Sequence, residues 1–94
     1  MDAPETDKSP LLPAIAAGDG RAVQELLDRY KGLIWWLARQ LVPGPEAEDA
    51  VQEVFVELWT HADRYDPSQS SESAFVAMVA RRRFIDRRRR SGRR

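Results

Sequence analysis

Ninety-four residues, with no cysteine and a single histidine (His61), bound the chain to one small domain. Those totals exclude a disulfide framework, a thiol nucleophile and a cysteine-based zinc site, and one histidine argues against any other metal centre. The formal net charge of zero conceals a split: residues 1–80 hold six Lys/Arg against fourteen Asp/Glu, whereas residues 81–94 hold nine Arg against one Asp. So polarised a chain is expected to meet two partners of opposite sign, a basic protein surface at its middle and a polyanion at its C-terminal end. No apolar run approaches the ~20 residues that span a bilayer, and the N-terminus lacks a signal peptide's basic-then-apolar layout. A cytoplasmic domain with no membrane partner is expected.

Residues 1–9 have no hydrophobic periodicity and read as a disordered lead-in. The core must then come from roughly 70–80 residues, which is workable for a helical bundle. Leu11, Leu12, Ile15 and Ala16 fit a short helix, with Pro13 tolerated near its first turn and Gly18 ending it. A long helix is predicted from Gly20 to Val42 with Asp19 as its N-cap. Its stripe is Val23, Leu26, Leu27, Tyr30, Ile34, Leu37, Ala38 and Leu41. Gly32 in its interior costs about 1 kcal/mol relative to alanine, so packing must carry the helix through it. Leu33, Trp35 and Trp36 lie off the stripe. Adjacent tryptophans point 100° apart on a helix, so at least one sits on the rim: either a wider contact with the short first helix or a patch for a partner.

Pro43-Gly44-Pro45 forces a tight break, after which Pro45 to Ala62 forms the next helix, antiparallel to its predecessor. Ala47, Ala50, Val51, Val54, Phe55, Leu58, Trp59 and Ala62 make its apolar face. Asp49, Gln52, Glu53, Val56, Glu57 and Thr60 make the opposite face, acidic and with one aliphatic residue in its middle. Arg64-Tyr65-Asp66-Pro67 ends the helix. Ser68–Ser73 reads as a polar loop in which Ser70 or Ser71 caps the last helix. That helix, to about Arg90, shows a stripe of Ala74, Phe75, Met78, Val79 and Ile85 that also takes in Arg82 and Arg89. The fold expected is all-α, a compact bundle of three main helices plus a short N-terminal helix, occupying residues 10–90.

Catalytic motifs are missing: there is no Ser/His/Asp order, no phosphate-cradling glycine loop and no carboxylate pair in an apolar setting. Neither enzymatic activity nor a cofactor is expected. The arginines are more informative. Arg81-Arg82-Arg83 and Arg87 to Arg90 wrap charge around most of the last helix, and planar guanidinium groups bind phosphate bidentately and stack on bases. Aromatic residues beside a basic groove are the means by which single strands are held. Trp59 and Phe75 read as core; Tyr65 and Phe84 are the freer candidates, Phe84 because it points away from the apolar stripe.

AEDAVQEVFVELW, a polar loop after YDP, and FVAMVARRRFIDRRRR, in this order, resemble region two of an extracytoplasmic-function sigma factor. GDGRAVQELLDRYKGLIWWLARQL is similar to the same domain's first long helix, so the resemblance covers about residues 11–90. It implies a transcription initiation domain whose second long helix docks on the clamp-helix coiled coil of the RNA polymerase β′ subunit. By position that face is Asp49, Gln52, Glu53, Val56 and Glu57. It also implies that the last helix and the loop before it capture the non-template strand of the promoter −10 element around a flipped base. The matching positions are Tyr65, the Ser68–Ser73 loop with Ser70 and Ser71, and Arg81, Arg82 and Arg83, with Arg87, Arg88, Arg89 and Arg90 holding phosphates; Phe84 stays a candidate from its place on the helix alone.

Three positions depart from the family's pattern. Arg82 stands where an asparagine is common near the base pocket, and Glu72 where an aromatic is common in the loop. Leu33 and Trp36 stand where basic residues are common, which suits cover by a partner such as an anti-sigma factor. Residues 91–94 are expected to begin the linker to a missing domain that reads the −35 element. Two other readings compete: an adaptor whose arginine tail grips nucleic acid without sequence preference, and an interaction bundle that works through its tryptophans.

Overall fold

Helical periodicity decides the architecture. The structure, a computed structural model, describes residues 9–92. It contains α1 (Leu12–Ala16), α2 (Arg21–Leu41), α3 (Ala47–Thr60) and α4 (Glu72–Gly92), with single 3-10 turns at Gly44–Glu46 and Ala62–Arg64. Among the described residues there is no strand. The lead-in expected over residues 1–9 lies outside the described residues apart from Ser9, as do the last two residues of the expected linker. No helix among the described residues is long and apolar enough to cross a membrane.

Each break has a local cause. Gly18, at φ +101°, ends α1 in the left-handed region, where a side chain would be strained. Gly18 N–H then donates to the Ile15 carbonyl and Asp19 N–H to that of Ala14, both at 3.0 Å, the two bonds of a Schellman cap. Asp19 Oδ1 accepts from the Arg21 N–H at 3.0 Å and so caps α2 as expected. The second break begins at Val42, which is extended before Pro43. α2 continues through Gly32, where a Cβ would meet open space. That glycine weakens α2 without serving a close approach, and the buried face holds the helix together.

The α2 stripe is buried at Ala22, Leu26, Tyr30, Ile34, Leu37 and Ala38. Ala47, Ala50, Val51, Val54 and Leu58 of α3 pack against it, so the apolar face expected there is borne out except at Trp59, which is 57% exposed. On α4 the phase differs from the sequence reading. The buried residues are Val76, Val79, Ala80 and Phe84, whereas Ala74 is exposed and Met78 is half exposed. The spacing i, i+3, i+4, i+8 is equally helical, and it places Arg83 and Arg87 at the edge of the core in place of Arg82 and Arg89. Phe84 is completely buried. It belongs to the core and cannot serve as a surface platform.

The clamp that joins the helices was not foreseen. Glu72, the first residue of α4, is buried. One carboxylate oxygen accepts the Leu11 and Leu12 N–H groups at 2.6 and 2.7 Å, satisfying donors that an isolated helix N-terminus leaves unpaired. The other accepts the Tyr30 hydroxyl at 2.7 Å and Arg29 Nη1 at 3.4 Å. Arg29 Nη1 also reaches the Ser9 carbonyl at 2.9 Å. A single carboxylate thus ties α1, α2 and α4 together. The acidic side chain at a position that is commonly aromatic packs because two cationic or hydroxyl donors and two backbone amides surround it.

Glu72→Gln puts an amide among these donors and removes the charge facing Arg29. A loss of about 3–5 kcal/mol is expected in urea unfolding; Tyr30→Phe, which deletes one hydrogen bond, should lose only about 1 kcal/mol. Burial, and next the hydrogen bond and negative charge of Glu72, hold the Tyr30 hydroxyl proton well above the ordinary value of 10.0. An unfolded chain releases that proton near pH 10 and the folded one keeps it. Stability should therefore be flat in this respect below about pH 10 and fall by up to about 1.4 kcal/mol per pH unit above it. Thermal unfolding between pH 9 and 12 checks the slope, which Tyr30→Phe should reduce.

Candidate functional site

The outward face of α3 is open, as its sequence predicts. Asp49 and Gln52 are exposed, Glu53 and Glu57 are partly covered, and Val56 is 55% exposed between them. All five line one groove of about 610 Å³, completed by Thr60, His61, Arg64 and Arg83. An aliphatic side chain at the centre of a charged ring is poorly solvated alone and is well placed to be an anchor in a contact. A second, almost wholly apolar groove shares Gln52 and Val56 and runs between α2 and α3 under Trp59.

The glutamates of this face and the arginines of α4 meet across the molecule. Glu57, whose side chain is 13% exposed, accepts from Arg82 and Arg83, each at 2.8 Å. Arg87 reaches Glu46 at 3.0 Å and Glu53 at 2.9 Å, and Arg83 lies 3.7 Å from Glu53. The hydrogen bond to Glu46, followed by that to Glu53, raises the Arg87 pKa above its ordinary value against the opposing effect of burial. So the glutamates are not simply solvated, and the arginines are not one uniform cationic rod. Arg82, Arg83 and Arg87 are engaged within the molecule, whereas Arg81, Arg88, Arg89 and Arg90 are exposed and outside that network.

The loop before α4 is preshaped. Ser71 Oγ accepts the Ala74 N–H at 3.2 Å and caps α4, the second of the two serines proposed for that role. Asp66 Oδ1 accepts from the Ser68 hydroxyl at 2.8 Å and its N–H at 2.9 Å, which lowers the Asp66 pKa. Tyr65 is not the free platform its position suggested. It is buried, its hydroxyl donates to the Ser70 carbonyl at 2.8 Å, and its ring tilts against Phe75 with centroids 5.3 Å apart. Burial first, then the charges of Glu72 and Asp66, raise its pKa. Tyr65 therefore shapes the loop from beneath, and Ser70 is half-buried while Ser71 is exposed.

Sequence reasoning missed Glu46 and the Glu72–Arg29 pair. Glu46 had a signal, since it lies seven residues, about two helical turns, before Glu53, in the 3-10 turn that leads into α3. The structure joins the α3 face to α4 through three arginines and leaves Tyr65 and Phe84 inside.

Among the described residues the fold is all-α, four helices that set an acidic groove beside an arginine-bearing helix. A family model described as Sigma-70 region 2 matches residues 26–94. The chain belongs to the sigma-70 region 2 family. It is 31% identical over 83 residues to the ECF RNA polymerase sigma factor SigK of Mycobacterium sp. (strain KMS), covering 87% of this chain and 43% of that protein. It is 32% identical over 83 residues to the protein of the same name from Mycobacterium tuberculosis (strain ATCC 25618 / H37Rv), covering 87% and 44%. The chain thus spans less than half the length of the curated relatives it matches. No solved structure matches it significantly.

The network between α3 and α4 is open to a double-mutant cycle. Glu57→Gln and Arg83→Ala should each lower stability by about 1–2 kcal/mol, and the double variant by less than their sum, with a coupling of about 1 kcal/mol that shrinks in high salt.

Proposed function

We propose that this chain is the part of a cytoplasmic transcription initiation factor that docks on the clamp helices of the RNA polymerase β′ subunit and captures the promoter −10 element as single strand. The observation that carries the reading is the exposed Val56 in its acidic groove. A basic helical partner would set its apolar edge on Val56 and its cations against Asp49, Glu53 and Glu57, the electrostatic match favouring rapid and specific encounter. The exposed arginines of α4 give phosphate contacts that position a strand without reading it. The preshaped Ser68–Ser71 loop at the head of the same helix suits a flipped base, whose unstacking costs a few kcal/mol that a fitted pocket returns. Region-two membership and the sigma-factor relatives support the role in initiation.

The rival is a non-specific nucleic-acid adaptor, for which the α3 face has no task. Capture of the β′ clamp coiled coil separates the two. Val56→Asp and Asp49→Asn alter exposed side chains outside the ion-pair network and should weaken capture, Val56→Asp at least about tenfold, with little change in thermal unfolding. Glu53→Lys is a poorer choice, because Glu53 also holds Arg83 and Arg87. Capture equal to wild type for both variants would favour the adaptor.

A further inference from the structure

We infer that Trp36 is a stacking platform for a base of single-stranded nucleic acid, on a face where Arg81 supplies a phosphate contact. The inference deepens the nucleic-acid half of the proposed function and rests on it.

The two adjacent tryptophans differ in surroundings. Trp35 is half-buried with the Arg39 guanidinium 5.8 Å from its ring centroid. Trp36 is 58% exposed, opposite the Ile34 and Ala38 side of α2. Glu72 contacts Arg29 and Tyr30. Helix α3 is antiparallel to α2 across its tight turn and antiparallel to α4, because Glu57, Glu53 and Glu46 pair with Arg82, Arg87 and Arg87 in reverse chain order; α2 and α4, which touch, therefore run in the same sense. Six residues further along each helix, Trp36 and Met78 therefore lie at about the same height, roughly 9 Å up the axis. Arg29 is on the flank of α2 that faces α4, and Leu33, Trp36 and Gln40 continue its ridge at i+4, i+7 and i+11. On α4, Arg82, Arg83 and Arg87 turn toward α3 through their glutamates. Ala77 and Arg81 lie on the other flank of the buried stripe, the side away from α3. Leu33 and Ala77 both pack against the core. Beside them stand an indole, the half-exposed Met78 and Arg81, which lies outside the ion-pair network.

Charge decides the occupant. A second copy of the chain would set arginine against arginine across an apolar contact. Single-stranded nucleic acid offers planar apolar rings and phosphates at alternating positions, which suits an indole beside a guanidinium group. A duplex keeps its base faces stacked inside and cannot use the platform. Stacking accepts any base, so this contact would add affinity for the opened strand without selecting its sequence.

The test is fluorescence anisotropy of the full chain with a labelled single-stranded oligothymidylate of about 20 nucleotides, long enough for one site, and with a duplex of equal length. Trp36→Ala should weaken single-strand binding roughly 5- to 100-fold, with Trp36→Phe recovering most of it and Trp59→Ala unchanged. The salt dependence should keep its slope in Trp36→Ala and lose about 0.7 of a unit in Arg81→Ala, because only the latter removes a phosphate contact. Trp36 is exposed, and circular dichroism should show an unaltered fold. Wild-type affinity in Trp36→Ala, with Arg81→Ala weakened, would overturn the platform and leave the nucleic-acid reading standing. Failure of the wild type to bind either oligonucleotide would overturn both. A change of sedimentation mass in Trp36→Ala without a change in oligonucleotide affinity would assign the face to a protein contact and also overturn the proposal.

Discussion

The structure depends on a buried negative charge. The Glu72 carboxylate draws two amides from the start of α1 and a hydroxyl and a guanidinium from α2, all onto the first residue of α4. A carboxylate taken from water is costly unless its lone pairs are filled, and here four donors fill them. The arrangement is geometrically demanding, so it specifies one relative placement of three helices where an apolar contact would permit sliding. Because Glu72 directly follows the Ser68–Ser71 loop, the same clamp sets where that loop begins and how α4 leaves it.

From this fixed point the two charged regions are brought face to face. Helix α3 packs against both α2 and α4, and its acidic residues have two duties. Glu53 and Glu57 neutralise Arg83, Arg87 and Arg82, while Asp49, Gln52 and Val56 remain open to solvent. Arg83 and Arg87 can occupy the edge of a core only because those glutamates are opposite; their aliphatic stems cover apolar surface while the heads stay paired. Net neutrality is thus partly a structural fact.

Much of this was legible in the sequence. The number of helices, the breaks at Gly18 and Pro43-Gly44-Pro45, the Asp19 and Ser71 caps and the open outer face of α3 all follow from periodicity and local backbone chemistry. The phase of α4 did not, since Phe75, Met78 and Ile85 form a helical stripe as acceptable as Val76, Ala80 and Phe84. Amphipathic arginines fit either phase, and only the glutamates of another helix choose between them. Trp59 is apolar yet exposed because α3 ends one residue later, at the margin of its packed surface. The Glu72 clamp joins residues 42, 43, 60 and 61 positions apart, and no local pattern announces such a site.

The shared use of Glu57 has a thermodynamic corollary. Its carboxylate cannot satisfy Arg82 and Arg83 and an incoming cation equally well, and an anion arriving at those arginines competes with Glu57 in turn. Drawing the pair apart from either side leaves the opposite charge less compensated and more receptive to its own ligand. Linkage requires any such preference to be mutual and equal in free energy. Were both ligands bound, occupancy on one flank of the bundle would be felt on the other through these two ion pairs.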